Sequence, residues 1–80
     1  MYEFVDNLRM TDMQASERYP NNYIAMRKDS RTSDMGTVLY VGDNQSELFQ
    51  LVLSLEDQSF CGVIEGLNLR RSLGGVVVGG

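Results

Sequence analysis

The stretch Asn22-Tyr23-Ile24-Ala25-Met26-Arg27-Lys28 decides how the chain is read. Successive side chains of a strand point to opposite faces, so Ile24 and Met26 share one face with Lys28. Tyr23, Ala25 and Arg27 share the other. After it, Asp29 to Gly36 is rich in Asp, Ser and Thr, which is turn composition. Thr37-Val38-Leu39-Tyr40-Val41 is β-branched and aromatic and stops at Gly42. Two strands joined by a polar loop predict an antiparallel hairpin, with a loop longer than the tightest turns.

Beyond the hairpin, Gly42-Asp43-Asn44-Gln45-Ser46-Glu47 is the clearest helix start. Asn44 with Glu47 three residues on fits a capping box, and Asp43 is a competing cap. Leu48, Leu51, Val52 and Leu55 form a stripe at i, i+3, i+4 and i+7, which predicts a helix to about Leu55. Phe49 and Leu53 widen that stripe until the helix is nearly enclosed. Phe60-Cys61-Gly62-Val63-Ile64-Glu65 is expected as a third strand, ended by Gly66.

On the N-terminal side, Asn7 to Arg18 reads as a short helix. Thr11-Asp12-Met13-Gln14 has the capping-box form, Asp12 suits the first turn, and Pro20 forbids continuation. Tyr2-Glu3-Phe4-Val5 fits either an edge strand or a frayed arm.

A helix crossing from the second strand brings the third in antiparallel to the first and beside it. The expected fold is α+β: a small, mainly antiparallel sheet of order 2-1-3, one main amphipathic helix on one face, and a short N-terminal helix. It forms one domain over 1–80. The segment 67–80 carries Val76-Val77-Val78, a further strand that needs a partner, either the domain's own sheet edge or another copy.

Composition narrows the chemistry. A chain of 80 residues buries only about 63% of its unfolded surface, so few large apolar residues are spare. There is no histidine and one cysteine, Cys61. That excludes a Ser-His-Asp triad, a Cys-His dyad, a disulfide within the chain and any Cys/His zinc site. Cys61, in an apolar strand, is expected to be a buried, inert thiol. Asp29-Ser30-Arg31-Thr32-Ser33-Asp34 is oxygen-rich but lacks the alternating acids and the glycine of a calcium loop. No catalytic, cofactor-binding or metal-ligating residue is therefore assigned.

Seven Lys and Arg against eleven Asp and Glu give a net charge of −4. Nucleic acid and anionic membranes both demand a concentrated positive face, so neither is an expected partner. No Lys or Arg falls between Thr32 and Leu69, where Asp34, Asp43, Glu47, Glu56, Asp57 and Glu65 all lie. That stretch reads as a solvated face or as a surface for a basic protein. Arg70-Arg71-Ser72-Leu73-Gly74-Gly75 is a candidate anion site, or a basic turn before a strand. The acidic first residues do not resemble a secretory signal, no apolar run approaches a membrane span, and a cytoplasmic location is expected.

Two resemblances add to this. Tyr19-Pro20-Asn21-Asn22-Tyr23-Ile24-Ala25-Met26, then Gly36-Thr37-Val38-Leu39-Tyr40-Val41-Gly42-Asp43 and a helix, resemble small uncharacterised bacterial domains of unknown function. The likeness spans Tyr19 to about Leu55 and departs at Asn21-Asn22 and in the longer Asp29–Gly36 loop. It implies a fold and no activity. The hairpin, helix and terminal Gly79-Gly80 also resemble ubiquitin-like and sulfur-carrier proteins of the β-grasp fold, although few residues follow the helix.

The functional expectation is a non-catalytic protein-interaction module that self-associates, as a dimer, by C-terminal strand pairing. Val76, Val77 and Val78, with Arg70 and Arg71, are its interaction residues. The alternative is a β-grasp-like carrier or modifier activated at Gly79-Gly80.

Overall fold

The computed structural model describes residues 1–57 and 59–70; the side chains of residues 6 and 7 are outside that description. Its elements, in chain order, are β1 (Tyr2–Thr11), α1 (Asp12–Arg18), β2 (Tyr23–Lys28), β3 (Met35–Gly42), α2 (Gln45–Leu53) and β4 (Cys61–Glu65). The four described strands form one sheet in the order β1-β3-β2-β4, with every ladder antiparallel. The fold is α+β. The segment β3-β2-β4 has the 2-1-3 order expected of the hairpin and third strand.

The N-terminal reading needs correction. Asn7 to Thr11 is strand, and the helix starts only at Asp12. Thr11 caps it: its hydroxyl accepts from the Gln14 amide at 3.1 Å, while the Gln14 side-chain oxygen accepts from the Thr11 amide at 3.0 Å. The box at Thr11 thus marks the true start, and the residues ahead of it pair with β3 from Thr11↔Met35 to Leu8↔Val38 and, after a register break, from Phe4↔Tyr40 to Tyr2↔Gly42. Tyr2 to Val5 is accordingly part of an edge strand.

Helix also flanks both faces of the sheet, where one layer was expected. On one face, Ala15 of α1 joins Met10, Ile24, Met26, Val38 and Val41 in a buried cluster. On the other, Leu48 and Val52 of α2 pack on Ala25, with Tyr23, Tyr40 and Val63 around them. Leu39 allows this division. The β2–β3 register passes from Ala25↔Tyr40 to Met26↔Val38, skipping Leu39. An extra residue in one strand inverts the alternation beyond it. Val38 and Val41 therefore share the α1 face although they are three apart, and Tyr40 faces α2.

The main helix is shorter than its apolar stripe suggests. It ends at Leu53, with Ser54 as C-cap. Asn44 caps its start by accepting from the Glu47 amide at 3.2 Å. The Glu47 carboxylate does not complete a capping box; it lies 3.1 Å from the Met1 ammonium, which also meets Asp43 at 2.9 Å. Leu48 and Val52 are buried, but Phe49 and Leu53 are exposed, so the helix is amphipathic rather than enclosed.

Candidate interaction edges

The order of the strands leaves β1 and β4 at the rims of the described sheet. In an antiparallel ladder, alternate residues direct their N–H and C=O groups to the neighbour and the residues between direct theirs away. Which residues do so follows from the bonds at the ladder ends.

For β4, the Lys28 amide donates to the Phe60 carbonyl at 3.0 Å and the Gly66 amide donates to the Asn22 carbonyl at 2.7 Å. The pairs Lys28↔Phe60, Met26↔Gly62, Ile24↔Ile64 and Asn22↔Gly66 are thus the mutually bonded ones. Cys61, Val63 and Glu65 direct their main-chain groups outward. The Glu65 carbonyl is already taken: the fully buried Ser16 hydroxyl donates to it at 2.7 Å, fastening α1 over that end of the edge. Among the described residues, Cys61 and Val63 are left with outward N–H and C=O groups.

Beside this edge, on the α1 face, lies a groove of about 350 Å³. Its lining includes Met26 and Ile64 of the α1-side cluster, together with Phe60, Lys28 and Arg31. No carboxylate lines it, although the whole chain carries −4. Lys28 is held 3.4 Å from Asp12 of α1. Gly62 keeps the groove open, since a Cβ there would meet nothing within 4 Å. Phe60 holds a left-handed backbone, φ 59°, uncommon for a bulky residue and a mark of a turn under strain.

The β1 edge differs in chemistry. The Asp43 amide donates to the Met1 carbonyl at 3.3 Å, so Glu3↔Val41 is a bonded pair and Tyr2 and Phe4 direct their main chain outward. Phe4 is 65% exposed and Tyr2 44%. Each ring meets Tyr40 edge-on with centroids 5.7 Å apart. This rim is aromatic at Tyr2 and Phe4; β1 runs for 10 residues, with a register break between Phe4 and Leu8.

Of the residues singled out in sequence, Arg70 lies exposed on a helical turn over 67–70, its amide donating to the Gly66 carbonyl at 3.0 Å. It meets no carboxylate of the described residues. Arg71, Val76, Val77, Val78 and Gly79-Gly80 lie outside the described residues. Cys61 is half-buried rather than enclosed, packed on the α2 side with its sulfur 4.0 Å from the Asp57 carbonyl. Among the described residues, no three Cys, Asp or Glu side chains gather as a metal site. Four of the six acids of the cation-free stretch lie at the two ends of α2, Asp43 and Glu47 at one and Glu56 and Asp57 beyond the other, while Asp34 precedes β3 and Glu65 ends β4. No helix of the described residues is long and apolar enough to cross a membrane.

Sequence reasoning missed Ser16, the outward groups of Cys61 and Val63, and the groove over Gly62. Each depends on strand register, which a single segment does not state. Fold and edges together define a class: a small antiparallel sheet with helix on both faces and two chemically different rims. No family model, curated protein or solved structure matches the chain.

Proposed function

We propose that the protein is a non-catalytic protein-interaction module that self-associates by strand addition. In this reading the segment Val76-Val77-Val78 of one copy adds to the β1 edge of another, giving a dimer. The observation that carries it is the β1 rim, where Tyr2 and Phe4 combine outward main-chain groups with exposed aromatic rings. An exposed, apolar edge strand is a template for a further strand, and an added strand gains main-chain hydrogen bonds along its length. Three valines have high β-propensity and no charge to desolvate. They suit an aromatic rim better than a cationic groove.

Removing residues 75–80 tests this. The truncated chain is expected to sediment as a monomer where the full chain sediments as a dimer. A full chain and a truncated chain of the same mass would sink the proposal.

A further inference from the structure

We infer that the β4 edge is a second, separate recognition site. It takes an extended peptide carrying an apolar residue and an acidic residue two positions apart. The inference goes beyond self-association at β1 and uses different residues.

The main chain sets the register. A strand laid against β4 can exchange bonds with Cys61 and Val63, the two residues whose outward groups no described residue uses. It cannot extend past Glu65, whose carbonyl accepts from Ser16. Directly opposed residues of adjacent strands place their side chains on the same face. The peptide residue opposite Gly62 therefore directs its side chain to the α1 face, over the space that Gly62 leaves empty. There it meets Met26 and Ile64, which asks for an apolar side chain.

The next peptide residue on that face, two positions along, lies opposite Phe60. Phe60 is bonded to Lys28, and Arg31 lines the same groove. Lys28 shares its charge with Asp12, whereas Arg31 has no ion pair among the described residues. Two cations and no lining acid, on a chain of net −4, favour a carboxylate at this position and disfavour a cation. The recognition mode is β-augmentation: main-chain bonds supply affinity, and the groove and its rim supply choice.

The test uses the full chain and two capped eight-residue peptides of alternating threonine. One carries a valine and, two positions on, a glutamate; the other has lysine in place of the glutamate. Fluorescence anisotropy is expected to show the glutamate peptide binding at least about fivefold tighter, a preference lost in Arg31→Ala. Gly62→Val fills the groove and is expected to abolish binding while the chain stays folded. Amide hydrogen exchange is expected to slow at Cys61 and Val63 on binding, with Tyr2 and Phe4 unchanged. Equal binding of the two peptides, no binding, or protection at Tyr2 and Phe4 instead would overturn the inference. Sedimentation of the same samples separates the two readings. A monomer that binds the glutamate peptide removes self-association alone, and a dimer that binds neither peptide removes the β4 site alone.

Discussion

The hydroxyl of Ser16 donates to the main-chain carbonyl of Glu65 across 2.7 Å, joining α1 to the end of β4. Ser16 is fully buried, and it is the one buried polar residue among the described residues. An outward carbonyl at a sheet rim would ordinarily face water; here α1 covers it, so the hydroxyl must satisfy it. Ser16→Ala removes the donor and leaves a covered acceptor unmet, at a cost of about 1–2 kcal/mol. For a domain of this size that lowers Tm by roughly 5–15 °C, read by thermal denaturation. An unchanged Tm would show that water reaches the Glu65 carbonyl.

Two glycines of β4 and its end should respond in opposite ways to the same added methyl. At Gly66 a Cβ would collide with the Tyr19 and Pro20 carbonyl oxygens, which are backbone and cannot swing aside. At Gly62 it would meet nothing within 4 Å. Gly66→Ala should cost about 2–4 kcal/mol or prevent folding. Gly62→Ala should be neutral or gain a few tenths of a kcal/mol from reduced chain entropy. Urea denaturation of the two variants measures both.

The backbone at Phe60 predicts an order among substitutions. A left-handed φ of 59° suits Asn and opposes β-branched residues. Both Phe60→Asn and Phe60→Val lose the same half-exposed ring, so their difference isolates the backbone. Phe60→Val should be less stable than Phe60→Asn by about 1 kcal/mol, despite the higher strand propensity of valine. Equal stabilities would mean that the turn relaxes to an extended conformation.

Arg9 on β1 grips Asp29, just past the end of β2, through its two terminal guanidinium nitrogens, at 3.0 and 2.6 Å. Those bonds hold the Asp29 carboxyl below its ordinary value of 3.8. The unfolded chain therefore takes up this proton at a higher pH than the folded one. Stability from the pair is complete above the ordinary value and is lost as the pH falls through the lowered one. Wild type should exceed Asp29→Asn in Tm near neutrality, and the gap should close as the pH falls past the ordinary value of 3.8 and through the lowered one, and shrink in high salt. A gap independent of pH would assign it to something other than the carboxylate charge.

Local chemistry was legible in the sequence, and register was not. Thr11 and Gln14 lie within one turn of each other, so their capping box needs no tertiary information. The alternation of Tyr23 to Lys28 and the crossover rule placed β3, β2 and β4 in their order. Asn7 to Met10 misled because a capping box marks where a helix begins without saying what precedes it; pairing with β3 holds Leu8, Arg9 and Met10 in strand. Phe49 and Leu53 misled because the α2 face of the sheet takes Leu48 and Val52, with Leu51 packed beside them, and leaves the rest of the apolar arc exposed. Leu39 has no signal of its own, yet it sets which side Tyr40 faces. The two edges were hidden for the same reason. Whether Val63 directs its amide inward or outward follows from the bonds at Lys28 and Gly66, and from nothing in the residues 61–65 themselves.

The central claim is association through added strands, and the native mass of the full chain tests it most directly. Sedimentation equilibrium over a wide concentration range is expected to give twice the 9.0 kDa of one chain, falling toward one chain on dilution. A single-chain mass at every concentration would contradict it.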